Sequence, residues 1–287
     1  MKTTLLKLAA TVWCLVAAGT MAIPGAAASD APGYEMGFSN VTNIQADLIL
    51  ALDRKQRVFV APAVMLLGDV RMPCIASLPG SGGAKNSPGG PVQLSGGFID
   101  FINHVAHAKA IDESDRGFFL RYMTRIAQQG RSGATPEFAA LTSPDERTFQ
   151  IMNGQASHFN QMAGGLVAID LAHHYLGHYS RHALEFASGS GVPTPVNSLI
   201  TEQEWRDAVM RGANNALACG LGVEGLRSLF DSFGRMQSRP PWAAYFIHPK
   251  ANISKINSEL GRLECDFFVM NMEMQKPGRG KTFGLTQ

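Results

Sequence analysis

Ala168-Ile169-Asp170-Leu171-Ala172-His173-His174-Tyr175-Leu176-Gly177-His178-Tyr179-Ser180-Arg181-His182 is the stretch on which the reading of this chain turns. Four histidines fall within the ten positions 173–182, of eight in the whole sequence. On a helix, side chains four positions apart stand on one face. A continuous helix here aligns Asp170, His174, His178 and His182 in one row, with His173 about 100° away. Two imidazoles at such spacing converge over one turn and can chelate a metal ion, for which Zn2+ is the expected choice. His174 with His178, and His178 with His182, both satisfy the spacing; His173 is a further alternative. The same residues would equally make a polar helix face, or buried imidazoles bonded to the main chain.

Peptide hydrolysis by zinc needs a base beside the first histidine to take a proton from the bound water. Tyr175 stands in that slot after His174, and Tyr179 after His178. A phenol with a pKa near 10 is a poor base at neutral pH. It can donate a hydrogen bond to an oxyanion, so Tyr175 is a candidate catalytic donor, with simple packing as the competing role.

The surrounding chain extends the picture. A basic start with Lys2 and Lys7, an apolar run over residues 8–18 and a small-residue end at Ala26-Ala27-Ala28 read as a secretory signal cleaved after Ala28. The expected location is therefore the far side of the inner membrane, in the periplasm. Residues 29–287 suffice for a single domain, with its core over about 46–268. Hydrophobic content of 45% and charged content of 17% are globular values. Of 25 basic residues two leave with the signal, so 23 remain against 23 acids and the mature chain is formally neutral. That excludes an electrostatic case for nucleic acid. No later apolar run reaches spanning length, so the mature chain is expected to carry no transmembrane segment. Cys74, Cys219 and Cys265 allow at most one internal disulfide, and spacing does not choose the pair.

Residues 29–45 read as an extended lead-in. Residues 79–91 form a Gly/Pro/Ser loop. Residues 92–102 alternate as a β-strand does. From there the period becomes helical: 112–129, then a start at Ser143-Pro144-Asp145-Glu146, and 149–186 with an interruption at Gly164-Gly165. A helix begins at Thr201 and ends at Gly220-Leu221-Gly222; others cover 223–236 and about 253–267. The expected class is α+β, mainly helical, with a small sheet ahead of the histidines.

Leu171-Ala-His-His-Tyr-Leu-Gly-His178 with Arg181-His182 resembles the Leu-Ala-His-Glu-x-Gly-His and Arg-His pattern of the HtpX-like and CAAX-protease-like zinc metallopeptidases, whose soluble members are called minigluzincins. The resemblance runs in order over about residues 90–260. It includes residues 91–102, like the family's strand along the edge of the substrate cleft; residues 219–230, like a later helical stretch; and Phe246-Ile-His248-Pro249, like a late His-Pro segment. It implies His174 and His178 as zinc ligands, Glu204 as the third ligand, and His248 as a transition-state donor. Glu204 departs from the family spacing, three rather than four residues before Asp207, and Thr201-x-x-Glu204 is itself a helix-capping pattern. The resemblance implies a zinc-dependent endopeptidase acting on envelope or misfolded proteins. The glutamate's replacement by Tyr175 brings in two alternatives: a pseudopeptidase that binds a protein or peptide client, and a histidine-rich metal-binding protein.

Overall fold

A computed structural model describes residues 37–77, 89–129, 141, 148–186, 194–236 and 238–275. The signal expected at 1–28, most of the loop expected at 79–91 and the helix start expected at 143–146 lie outside the described residues.

The fold is α+β and mostly helical, with one three-stranded sheet. Helix α1 (Phe38–Ala51) comes first. It begins inside the stretch read as an extended lead-in. Val41, Gln45 and Leu48 recur at helical spacing and are buried, and tertiary contact supplies the stability that local propensity does not. The short α2 (Arg54–Arg57) starts on a capping box between Asp53 and Gln56. Strands β1 (Val64–Leu67), β2 (Ile75–Ser77) and β3 (Val92–Ser95) follow. Their spatial order is β1-β3-β2, parallel between β1 and β3 and antiparallel between β2 and β3.

The strand expected over 92–102 stops at Ser95. The Ser95 hydroxyl accepts from the Phe98 N–H at 2.8 Å and starts α3 (Gly96–Asp112). The segment likened to a cleft-edge strand is thus a central strand followed by a helix, and β1 and β2 hold the edges. The helix expected over 112–129 is also divided. α3 runs to Asp112, Gly117 adopts φ +88°, and α4 (Phe118–Gln129) buries Phe119, Tyr122, Met123 and Ile126.

Helix α5 (Phe149–Tyr175) is the axis of the fold and packs against α1, α3, α8 and α9. From Met162 to His174 every residue is buried. The interruption expected at Gly164-Gly165 does not occur. A Cβ on Gly164 would lie 2.6 Å from Leu221 Cδ1, so these glycines admit a neighbour rather than end the helix. The break falls at Leu176-Gly177. Beyond it lie α6 (His178–Arg181) and α7 (Ala183–Phe186), then α8 (Glu202–Ala218), α9 (Glu224–Arg235) and α10 (Ile253–Gln275). On α8, a Cβ at Gly212 would stand 2.6 Å from the Ile169 amide nitrogen, so glycine sets the close α5–α8 approach. Phe98, Phe101, Phe233, Trp242 and Phe246 form an aromatic cluster that ties α3 to α9 and to the 3-10 turn Pro241–Tyr245. No helix among the described residues is long and apolar enough to cross a membrane.

Candidate functional site

The histidines do not share one helix. Gly177 adopts φ +76°, ψ 18°, the left-handed conformation that commonly closes a helix, and its N–H donates to the His174 carbonyl at 2.9 Å. The predicted row of Asp170, His174, His178 and His182 is therefore broken after its second member. The turn swings His178 back toward His173, and their Nδ1 atoms lie 2.6 Å apart. One imidazole donates its Nδ1–H to the lone pair of the other. The i, i+5 spacing that a regular helix makes unfavourable becomes the close pair.

His174 goes elsewhere. Its ring stacks on Tyr179 at 4.5 Å between centroids. On its other side, a Cβ at Gly89 would lie 1.9 Å from its Nδ1, so only a glycine backbone fits there. His174 Nε2 is buried and finds no hydrogen-bond partner among the described residues. Burial lowers the His174 pKa to about 3. Burial, and next the Arg181 cation, hold His178 at about 4, against an upward pull from Glu204 and Asp207. His173 is depressed by burial and then by its two histidine neighbours, with Asn197 acting against them. All three imidazoles are neutral at physiological pH.

Beneath this pair lies a network that the sequence reading missed. Asp170 is buried; its Oδ1 accepts from the Tyr179 hydroxyl at 2.5 Å and its Oδ2 from the Ser77 hydroxyl. The Tyr179 oxygen in turn accepts the Ser77 N–H at 2.8 Å. The end of β2 is thus bonded to both α5 and α6. Burial raises the Asp170 pKa to about 6, moderated by its two hydroxyl donors. Tyr179, read as a possible base-slot or packing residue, is the centre of this clamp.

The remaining candidates are committed to other work. Thr201 and Glu204 form a complete capping box, with the Thr201 N–H 2.8 Å from Glu204 Oε2. Glu204 Oε1 accepts from Arg181 at 2.6 Å. The backbone donor at Thr201 is the main cause of its lowered pKa. Glu204→Ala is expected to cost about 1 kcal/mol of stability, the usual worth of a cap. Urea denaturation monitored by circular dichroism measures it. His248 is buried; its Nε2 lies 3.2 Å from the Ile200 carbonyl and its Nδ1 accepts from the Lys250 N–H at 3.2 Å. Both ring nitrogens anchor the turn before α10. His182 is half-buried between α6 and α7. Tyr175 ends α5, half-buried, with burial raising its phenol to about 12. Cys74, Cys219 and Cys265 are free thiols.

These residues do not fit the zinc centre that the resemblance implies. No group of three or more His, Cys, Asp or Glu able to hold a metal ion occurs among the described residues. Zinc bonds of 2.0–2.1 Å at tetrahedral angles place two ligand nitrogens roughly 3.3 Å apart. The 2.6 Å between His173 and His178 leaves no room for an ion. His174, His178 and Glu204 are held respectively by a ring stack, a paired imidazole and a cap with its arginine. No protein-family model, curated protein or solved structure matches this chain.

Proposed function

We propose that this protein is an exported, non-hydrolytic pseudopeptidase: a metallopeptidase-like scaffold that binds a protein or peptide client in the periplasm without cutting it. The observation that carries the reading is Tyr175 in the position of the general base. Its phenol, raised to about 12, keeps its proton throughout the physiological range and takes none from water. Glu204, engaged by Thr201 and Arg181, supports the same reading. So does the pairing of His178 with His173 rather than with His174. The sheet edge offers a client a seat. β1 lies at the sheet edge and exposes Met65 and Leu66, and an extended peptide adds to such an edge through main-chain hydrogen bonds.

The mature chain, supplied with equimolar zinc, is expected to leave unfolded casein uncut while retaining it in a pull-down. Leu66→Lys is expected to weaken that retention about tenfold, by adding charge to the docking edge. Tyr175→Glu is expected to yield no peptidase activity, because a carboxylate there still meets no assembled zinc. Cleavage of casein by either protein, abolished by a chelator, would overturn the proposal.

A further inference from the structure

Between α9 and α10 the chain builds a cleft of about 520 Å³. Arg227 and Arg235 of α9, Arg239 just beyond it, and Ser254 and Ser258 of α10 line it, with Asp231 as its one acid. Asp231 is already bound to Arg235 at 2.6 Å. Arg227 lies 4.0 Å from Glu264, its guanidinium against Gly261, where a Cβ would come within 3.3 Å.

Arg239 differs from both. Its Nε donates to the Phe233 carbonyl at 3.3 Å and its Nη1 to the Pro249 carbonyl at 3.1 Å. No carboxylate pairs with it among the described residues. It is partly buried, and that burial lowers its pKa. A partly desolvated cation, fixed by two backbone acceptors and lacking a counter-charge, is costly unless an anion meets it. Two of its five N–H groups are spent, and three remain for a ligand. The planar fork suits a phosphate oxyanion, which accepts two parallel bonds. The first turn of α10 forms another wall, and its positive dipole end adds to the same preference.

We propose that this cleft binds a phosphate-type oxyanion, either free phosphate or the phosphate of a lipid headgroup, with Arg239 as its principal contact.

Isothermal titration of the mature protein with inorganic phosphate at low ionic strength is expected to give saturable single-site binding. Arg239→Met is expected to weaken it at least about tenfold, and Arg239→Lys less, because a point charge keeps attraction but loses the fork. Ser254→Glu guards against loss of fold. Ser254 is exposed in the first turn of α10, where a carboxylate favours the helix while repelling an anion. It is expected to keep or raise the melting temperature and still weaken phosphate binding about tenfold. Flotation with phosphatidylglycerol vesicles that Arg239→Met abolishes assigns the ligand to lipid; phosphate binding without flotation assigns it to free phosphate. Absence of saturable phosphate binding, or binding by Arg239→Met and Ser254→Glu within twofold of the unaltered protein, would overturn the proposal.

Discussion

Asp170→Ala is expected to destabilise the protein by about 3 kcal/mol, while Asp170→Asn at pH 8 changes stability by less than about 1 kcal/mol. The alanine variant leaves the Tyr179 and Ser77 hydroxyls buried without their acceptor. Each such orphaned group costs roughly 1–3 kcal/mol, and a small cavity adds to the loss. Both substitutions relieve a penalty that the buried carboxylate carries, so they diverge in what takes its place. Raising its pKa from 3.8 to about 6 means that the folded state disfavours the ionised form, by on the order of 3 kcal/mol at neutral pH. Asparagine keeps an acceptor oxygen and the shape while removing that charge. Urea unfolding of the three proteins at pH 8 measures both effects. Equal losses in the two variants would show that the paired acceptor oxygens of the carboxyl, which neither variant keeps, outweigh its volume.

Stability is also expected to fall steeply between about pH 6 and pH 4. His104 and His178 are held at about 4 and His174 at about 3, and His173 is depressed as well. Burial is the leading cause for each. Their unfolded value is 6.5. Below that value the unfolded chain takes up protons that the folded chain refuses, so stability falls as pH falls. Asp170 runs the other way. Its folded pKa is raised, so the folded state holds the extra proton between about pH 4 and 6, and stability there rises as pH falls. Asp100, also raised by burial, acts with Asp170, so four imidazoles against two carboxyls leave a net of about two to three protons, or about 3–4 kcal/mol per pH unit near pH 5. Two such units remove about 6–8 kcal/mol, enough to unfold a domain in the lower half of the ordinary range of roughly 5–15 kcal/mol. Thermal melts at half-unit pH steps test this. A melting temperature constant from pH 7 to pH 5 would contradict neutral burial of the four rings. Asp170→Asn removes the opposing proton and is expected to steepen the fall.

The parts of this structure that were legible in the sequence are those fixed by neighbouring residues. Thr201 and Glu204 announce the start of α8 because a cap is satisfied within one turn. The amphipathic spacing of α9 and the small sheet ahead of the histidines are local patterns too. The errors arose where distant contacts decide. Gly164-Gly165 and Gly177 look alike as helix breakers. Leu221 and Leu226 pack against the first two and keep the helix whole, whereas Gly177 turns it. Alternation over 92–102 hid the cap at Ser95. The histidine spacing presumed an unbroken helix, which favoured His174 with His178 over the observed His173 with His178. Ser77 lies 93 positions from Asp170, and no short-range pattern joins them.

Gly177 also sets how far this chain stands from a different arrangement of its imidazoles. Alanine at that position would oppose the left-handed φ of +76° by about 1 kcal/mol and favour a helix running through position 178. On that longer helix His178 would rise one turn above His174, and its bond to His173 would part. The Tyr179–Asp170 bond would have to part as well, so glycine at 177 and the clamp beneath it together keep the imidazole pair closed on itself.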